Sequence, residues 1–243
     1  MVTITPDAES AAQAAAQRLA DAITSALSER RTAHLALAGG TTPRRAYELL
    51  AASVSDWSGV SFWLGDERML PAGDRERNDT MLRAALTRPD TDCVPRIETV
   101  STGDPESAAR RYEARLRERV TAGANGAPVF DLAILGLGED GHTASLFPGH
   151  TEVEERERLV VPVFGAPKPP PERVSMTIPL LSAARSIVIL ASGPGKASAV
   201  GTLSGPSRES LPPGRLPWDR VELICDREAA AHIGRPQIGR AHV

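Results

Sequence analysis

The strongest constraint on this chain is a repeated change of period. AHLALAGG (residues 33–40) is an apolar run closed by glycines, and TTPRRAYELLAA follows it with apolar residues at helical spacing. The same alternation recurs in GVSFWLGDERML before a helical stretch at 78–86, and in RIETVS before DPESAARRYEARLRERV (104–120). It returns in VFDLAILGLG, in RSIVILASGPGKASAV, and in RVELICD before EAAAHI, which is expected to begin a final helix. Residues 7–30 open the chain as an amphipathic helix. Apolar runs without a polar face suit strands covered on both sides. The expected fold class is therefore α/β, a doubly wound, mostly parallel sheet with helices on both faces. Thr41 or Thr42 is expected to cap the second helix, with Pro43 in its first turn. One domain is expected over residues 1–233, with a polar, disordered tail at 234–243. The Ser-, Pro- and Gly-rich stretch 204–217 reads as a mobile surface loop.

A chain of 243 residues that is 41% hydrophobic can bury a proper core, and with 4% aromatics that core is mainly aliphatic. A formal net charge of −3 argues against a nucleic-acid or membrane surface, while leaving room for a small anionic substrate. Cys93 and Cys225 stand far apart with no metal or redox spacing, which fits a reduced, cytoplasmic protein. The N-terminal stretch lacks the pattern of a signal peptide. No His, Cys or acid cluster has metal spacing, so neither metal nor cofactor is expected. The expected state is a monomer, with a dimer as the alternative.

FDLAILGLGEDGHTASLFPG (130–149) holds the chemistry-bearing loop. Gly136-x-Gly138-x-x-Gly141 matches a dinucleotide fingerprint, but Pro148-Gly149 cuts short the helix that motif needs, and Glu139 and Asp140 would repel a pyrophosphate. Proton chemistry suits the loop better, because His142 titrates near neutrality and Asp140 can orient it. The residues leave a second reading open, in which His142 caps a short helix and Asp140 binds backbone amides. In an open α/β sheet ligands sit beyond the carboxyl ends of strands. Several such ends carry suggestive groups: Gly39, Gly40 and Thr41; Asp66, Glu67 and Arg68; Asp140 and His142; and Lys196 after a glycine loop. Helix N-termini and these cations together favour a phosphorylated small molecule.

LALAGGTTPRRAYELL, FWLGDERMLPAGDRERNDTMLRAAL, FDLAILGLGEDGHTASLFPG, PKPPPERVSMTIPLL and VILASGPGKASAV stand in the order found in 6-phosphogluconolactonases, and the chain resembles that family over nearly its whole length. The resemblance implies a Rossmann-like fold related to glucosamine-6-phosphate deaminases. It implies hydrolysis of 6-phospho-D-glucono-1,5-lactone to 6-phosphogluconate, the second step of the oxidative pentose phosphate pathway. By resemblance His142 is the general base and Asp140 its partner or a site-shaping acid. Arg68 and Lys196 match phosphate-binding positions, and Arg173 matches an arginine serving phosphate or site structure. Gly39, Gly40 and Thr41 would lie against sugar or phosphate, with Asp66 and Glu67 beside them, and Asn78 would be mainly structural. LPPGRLPWDRVEL matches loosely, and the tail from 234 has no counterpart.

The implied reaction needs a base for water, donors for an oxyanion and an acid for the leaving alkoxide. His142 can serve as base and then acid, and amides of a glycine loop are expected to hold the oxyanion. Ser145 lies nearby but no GxSxG elbow surrounds it, which favours direct attack by water. Two alternatives are a glucosamine-6-phosphate deaminase/isomerase and a non-catalytic sugar-phosphate sensor. Deaminase relatives carry an acid followed by tyrosine where this chain has Glu67-Arg68. Sensors carry a helix-turn-helix module in front, and no basic recognition helix is seen here.

Overall fold

A computed structural model describes residues 1–54, 56–88 and 93–234. The elements run β1 (Val2–Thr5), α1 (Ala8–Arg30), β2 (Ala33–Leu37), α2 (Thr41–Ser53), β3 (Val60–Leu64), β4 (Asp66–Arg68), α3 (Asn78–Leu86), β5 (Arg96–Glu98) and α4 (Pro105–Arg119). They continue through β6 (Leu132–Gly136), β7 (Val160–Val163), β8 (Arg173–Met176), α5 (Ile178–Ser182), β9 (Ile187–Ala191), α6 (Ala197–Leu203) and β10 (Val221–Asp226). Seven strands form one parallel sheet in the order β1-β10-β9-β6-β2-β3-β5. Every residue of β3 and β9 is buried. Alternate residues of a strand face opposite ways, so both sides of the sheet are covered there.

The long helices start where their side chains satisfy free amides. Asp7 accepts from the Ser10 amide at 2.8 Å, and Asp104 accepts from the Ser107 amide at 2.8 Å ahead of Pro105. Ala11, Ala12, Ala15, Ala16, Leu19, Ile23 and Ala26 make the buried stripe of α1. From β2 the sheet grows one way through β3 and β5, and from β6 it grows the other way through β9 and β10. The direction reverses between β2 and β6, and a crevice opens at such a point beyond the strand ends.

Several expectations need correction. GVSFWLGDERML is not one strand: it breaks at Gly65, and β4 joins β8 and β7 in a separate antiparallel sheet. β1 was not expected at all; its four residues are too few to show a period. Gly40, not a threonine, is the N-cap of α2, and no side chain caps it. Thr41 is already the first helical residue. EAAAHI yields only a single 3₁₀ turn, Ala229–His232. The 204–217 stretch contains two further 3₁₀ turns, with Pro212, Pro213 and Gly214 buried, rather than being wholly a surface loop. Of the expected tail, residues 235–243 lie outside the described residues.

Candidate active site

A cavity of about 260 Å³ lies at the reversal point, lined from β2 by Gly39 and Gly40 and from the β6 loop by Gly138 and His142. The His142 Nδ1 and Asp140 Oδ1 atoms are 2.5 Å apart. A carboxylate can only accept, so Nδ1 carries the proton and Nε2 is left with the lone pair, a tautomer inferred from the hydrogen bond. Local backbone makes this pair. Gly141 turns the chain at φ +86°, its amide donates to the Gly138 carbonyl at 3.0 Å, and the Gly138 amide donates to the His142 carbonyl at 2.8 Å. Side chains 140 and 142 then fold back over Gly138, where a β-carbon would stand 2.1 Å from Nδ1 and 2.3 Å from Asp140 Oδ1. No helix starts after His142; Thr143 and Leu146 close a tight bridge instead. The helix-capping reading therefore has no helix to cap.

The ring of His142 lies 4.7 Å from that of Phe147. Burial pulls the imidazole pKa below its ordinary value, and this outweighs the opposing pull of Asp140 and Asp66. Burial pushes the Asp140 carboxyl up, but His142 and its hydrogen bonds win and hold it below the usual range. Neutral imidazole beside ionised carboxylate is thus the resting form at neutral pH, which is the form a general base needs.

Positive charge enters from three directions. Arg68 and Arg173 stand directly opposite each other in the β4–β8 register, and both line the cavity. Like charges in that position repel. Neither has a carboxylate partner at salt-bridge distance among the described residues. The Arg68 guanidinium donates to the Glu76 carbonyl at 3.0 Å. Arg173, 5% exposed, donates to the carbonyls of Lys168 and Pro170 at 2.8 and 3.1 Å. Two opposed arginines with no carboxylate at salt-bridge distance among the described residues make a ready seat for an anion. Lys196 enters from the loop ahead of α6, where Gly193 (φ +86°) donates its amide to Asp226 and holds the turn. Burial lowers the Lys196 pKa against the pull of Glu139.

Asp140 meets the cavity only through His142, and two other expected site residues lie elsewhere. Glu67 is fully buried and does not line the cavity. Its carboxylate accepts from the amides of Arg68, Asn78 and Asp79 at 2.7, 2.8 and 2.9 Å, and so anchors the start of α3. Strand alternation is the cause: in β4 residues 66 and 68 share one side, and 67 takes the other. Thr41 is exposed at the start of α2 and is not part of the lining. Asp66 does line the cavity, accepting from Ser145 Oγ at 2.6 Å and from the Asn78 amide group at 3.3 Å. Ser145 is fully buried in that contact and points no nucleophile into the cavity. Asn78 also packs on Gly39, whose missing β-carbon would sit 2.0 Å from its Oδ1. Sequence reasoning missed Lys168, another cavity cation, because the prolines around it read as a plain loop. Among the described residues no group of three or more His, Cys, Asp or Glu side chains could hold a metal ion, and no helix is long and apolar enough to cross a membrane.

Comparison with known proteins gives a consistent picture. The family described as glucosamine-6-phosphate isomerases/6-phosphogluconolactonase matches residues 6–225. A 6-phosphogluconolactonase of Streptomyces coelicolor is 39% identical, over 94% of this chain and 93% of its own length. The human 6-phosphogluconolactonase is 36% identical, over 91% of this chain and 87% of its own. Among solved structures, 6-phosphogluconolactonase from Leishmania guyanensis superposes with a TM-score of 0.83 at 29% identity, covering 98% of this chain and 99% of that one. A monomeric glucosamine-6-phosphate deaminase superposes with a TM-score of 0.74 at 25% identity, covering 95% and 99%.

Proposed function

The chain belongs to the glucosamine-6-phosphate isomerase/6-phosphogluconolactonase family, and from that premise we propose that it hydrolyses 6-phospho-D-glucono-1,5-lactone to 6-phosphogluconate with His142 as general base. The observation that carries the reading is the neutral His142, paired to Asp140, in a cavity whose opposed arginines await an anion. Water held at Nε2 loses its proton to the imidazole as its oxygen adds to the lactone carbonyl. Asp140 stabilises the imidazolium that results. The tetrahedral intermediate then collapses, the bond to the ring oxygen breaks, and the imidazolium returns the proton to that oxygen. Arg68, Arg173 and Lys196 bind the 6-phosphate, and Asp66, held by Ser145 and Asn78, faces the sugar. The substrate is a small phosphorylated lactone, and the compartment consistent with this metabolism is the cytoplasm.

The deaminase relative supports a second reading, in which an amino-sugar phosphate is the substrate. Arg68 in the cavity, where deaminase relatives carry tyrosine, favours the lactonase. Assays of the purified chain on the phosphorylated lactone and on glucosamine 6-phosphate decide between them. Turnover of the lactone well above its spontaneous hydrolysis is expected, and turnover of glucosamine 6-phosphate alone would overturn the reading.

A further inference from the structure

We propose that Leu211 is a positioning residue of this hydrolysis: its side chain packs on Gly141 and locks the turn that holds His142 against Asp140. The inference rests on the lactonase reading, with His142 as base, and gives a task to the 204–217 segment, which the reaction otherwise leaves without one.

Gly141 is the single residue between the two members of the pair, so any rotation of its backbone turns one member against the other. Its φ is +86°, a region open to glycine, and glycine also wanders over the rest of the map more freely than any other residue. The turn's own hydrogen bonds are few. The Gly141 amide donates to the Gly138 carbonyl at 3.0 Å, and the Gly138 amide donates to the His142 carbonyl at 2.8 Å. Leu211 supplies the missing restraint from outside. A β-carbon on Gly141 would lie 2.5, 2.8 and 3.1 Å from Cδ2, Cδ1 and Cγ of Leu211. The isobutyl group therefore covers the face of Gly141 that a side chain of its own would have filled, and Gly141 is buried.

Leu211 is in turn held in place. It links two 3₁₀ turns, Arg208–Ser210 and Pro212–Arg215. Its amide donates to the Arg208 carbonyl at 3.0 Å, and its carbonyl accepts from the Gly214 amide at 2.9 Å. Pro212 restricts the residue before it to extended backbone, and Leu211 has φ −106° and ψ 144°. Gly214 packs directly on the backbone of Arg208, since a β-carbon there would meet the Arg208 carbonyl oxygen at 1.7 Å. The Trp218 indole donates to the Gly214 carbonyl at 3.1 Å, and the Arg208 guanidinium lies 5.0 Å over the same side chain. A segment tied to itself in this way presents Leu211 as a fixed point. Leu211 does not line the cavity, so it acts on the base from behind and leaves the substrate untouched.

A residue that aims the base without touching substrate is felt in kcat rather than in KM. A misplacement of about 1 Å costs about 10²-fold in rate. Leu211→Ala should therefore lower kcat by about tenfold to a hundredfold with KM nearly unchanged, and Leu211→Met, which refills the space, should recover most of it. In an Asp140→Asn background, where the pair is already broken, Leu211→Ala should cost little more. The proton on His142 Nδ1, assigned in the NMR spectrum by its loss in His142→Gln, should be sharp in wild type and broadened by exchange in Leu211→Ala. Wild-type kcat in folded Leu211→Ala, an equal fractional loss in the Asp140→Asn background, or an unchanged Nδ1 resonance would each overturn the assignment. A thermal melt checks that each variant is folded at the assay temperature; if Leu211→Ala is not, Leu211→Val, a smaller truncation, is read the same way. An inactive wild-type chain would refute the lactonase reading, and the Nδ1 resonance would still decide whether Leu211 locks the pair.

Discussion

Gly138→Ala is expected to abolish activity while leaving the fold intact. The added β-carbon would stand 2.1 Å from His142 Nδ1, 2.4 Å from Cε1 of the same ring and 2.3 Å from Asp140 Oδ1. Ordinary carbon contacts lie near 3.5 Å, so ring, carboxylate or both must retreat by more than about 1 Å. A hydrogen bond of 2.5 Å does not survive such a shift as a bond. The imidazole loses its orienting partner and its aim at the water. General acid–base catalysis contributes about 10²–10⁴-fold, so turnover should fall by that factor, or about 2.7–5.5 kcal/mol of barrier. Stability should hold, for two reasons. Gly138 is not among the glycines with positive φ, so alanine fits its backbone. What the β-carbon meets are two side chains and no backbone, so the main chain of the loop need not move. A Gly-to-Ala change at a compatible site even favours folding by about 0.4–1 kcal/mol. Gly141→Ala makes the contrast: its φ is +86° and its β-carbon would meet Leu211 at 2.5 Å, so stability itself should drop. The assay couples 6-phosphogluconate formation to an indicator and subtracts spontaneous hydrolysis, with a thermal melt alongside. Near wild-type kcat in folded Gly138→Ala would refute the claim that the His142–Asp140 pair does the chemistry.

Four further outcomes are expected. The acid limb of kcat/KM should fall below the ordinary imidazole pKa of about 6.5: the base must be neutral, burial lowers the His142 pKa against Asp140 and Asp66, and the Lys168 charge lowers it further. A midpoint above the ordinary value in the pH–rate profile would contradict this. Arg68→Ala and Lys196→Ala should each weaken the phosphorylated lactone by about tenfold to a hundredfold while sparing unphosphorylated lactone, and an unchanged ratio of kcat/KM for the two would count against a phosphate role. Glu67→Gln turns an acceptor into a donor facing backbone amides, which should cost about 1–3 kcal/mol in urea unfolding; unaltered stability would show those amides satisfied otherwise. Treatment with EDTA should leave activity intact, and a loss restored by one divalent ion would refute a metal-free mechanism.

Local chemistry in this chain was legible without coordinates. The long α1 and α4 announce themselves through their apolar period, which repeats within one or two turns. The glycine spacing around His142 was legible for the same reason: the Asp140 contact spans only two residues. The separate side of Glu67 was within reach of the sequence too, since any strand through Asp66–Arg68 puts residue 67 opposite its neighbours. What the sequence could not decide was pairing across distance. β1 lies parallel to β10 with Val2 beside Leu223. The break at Gly65 has a cause far downstream, since β4 finds its partner in β8. That one register brings Arg68 against Arg173, and the proline loop behind Arg173 then carries Lys168 to the same cavity. Strand partners are chosen by the burial and hydrogen bonding of the whole sheet, and no single segment carries that information.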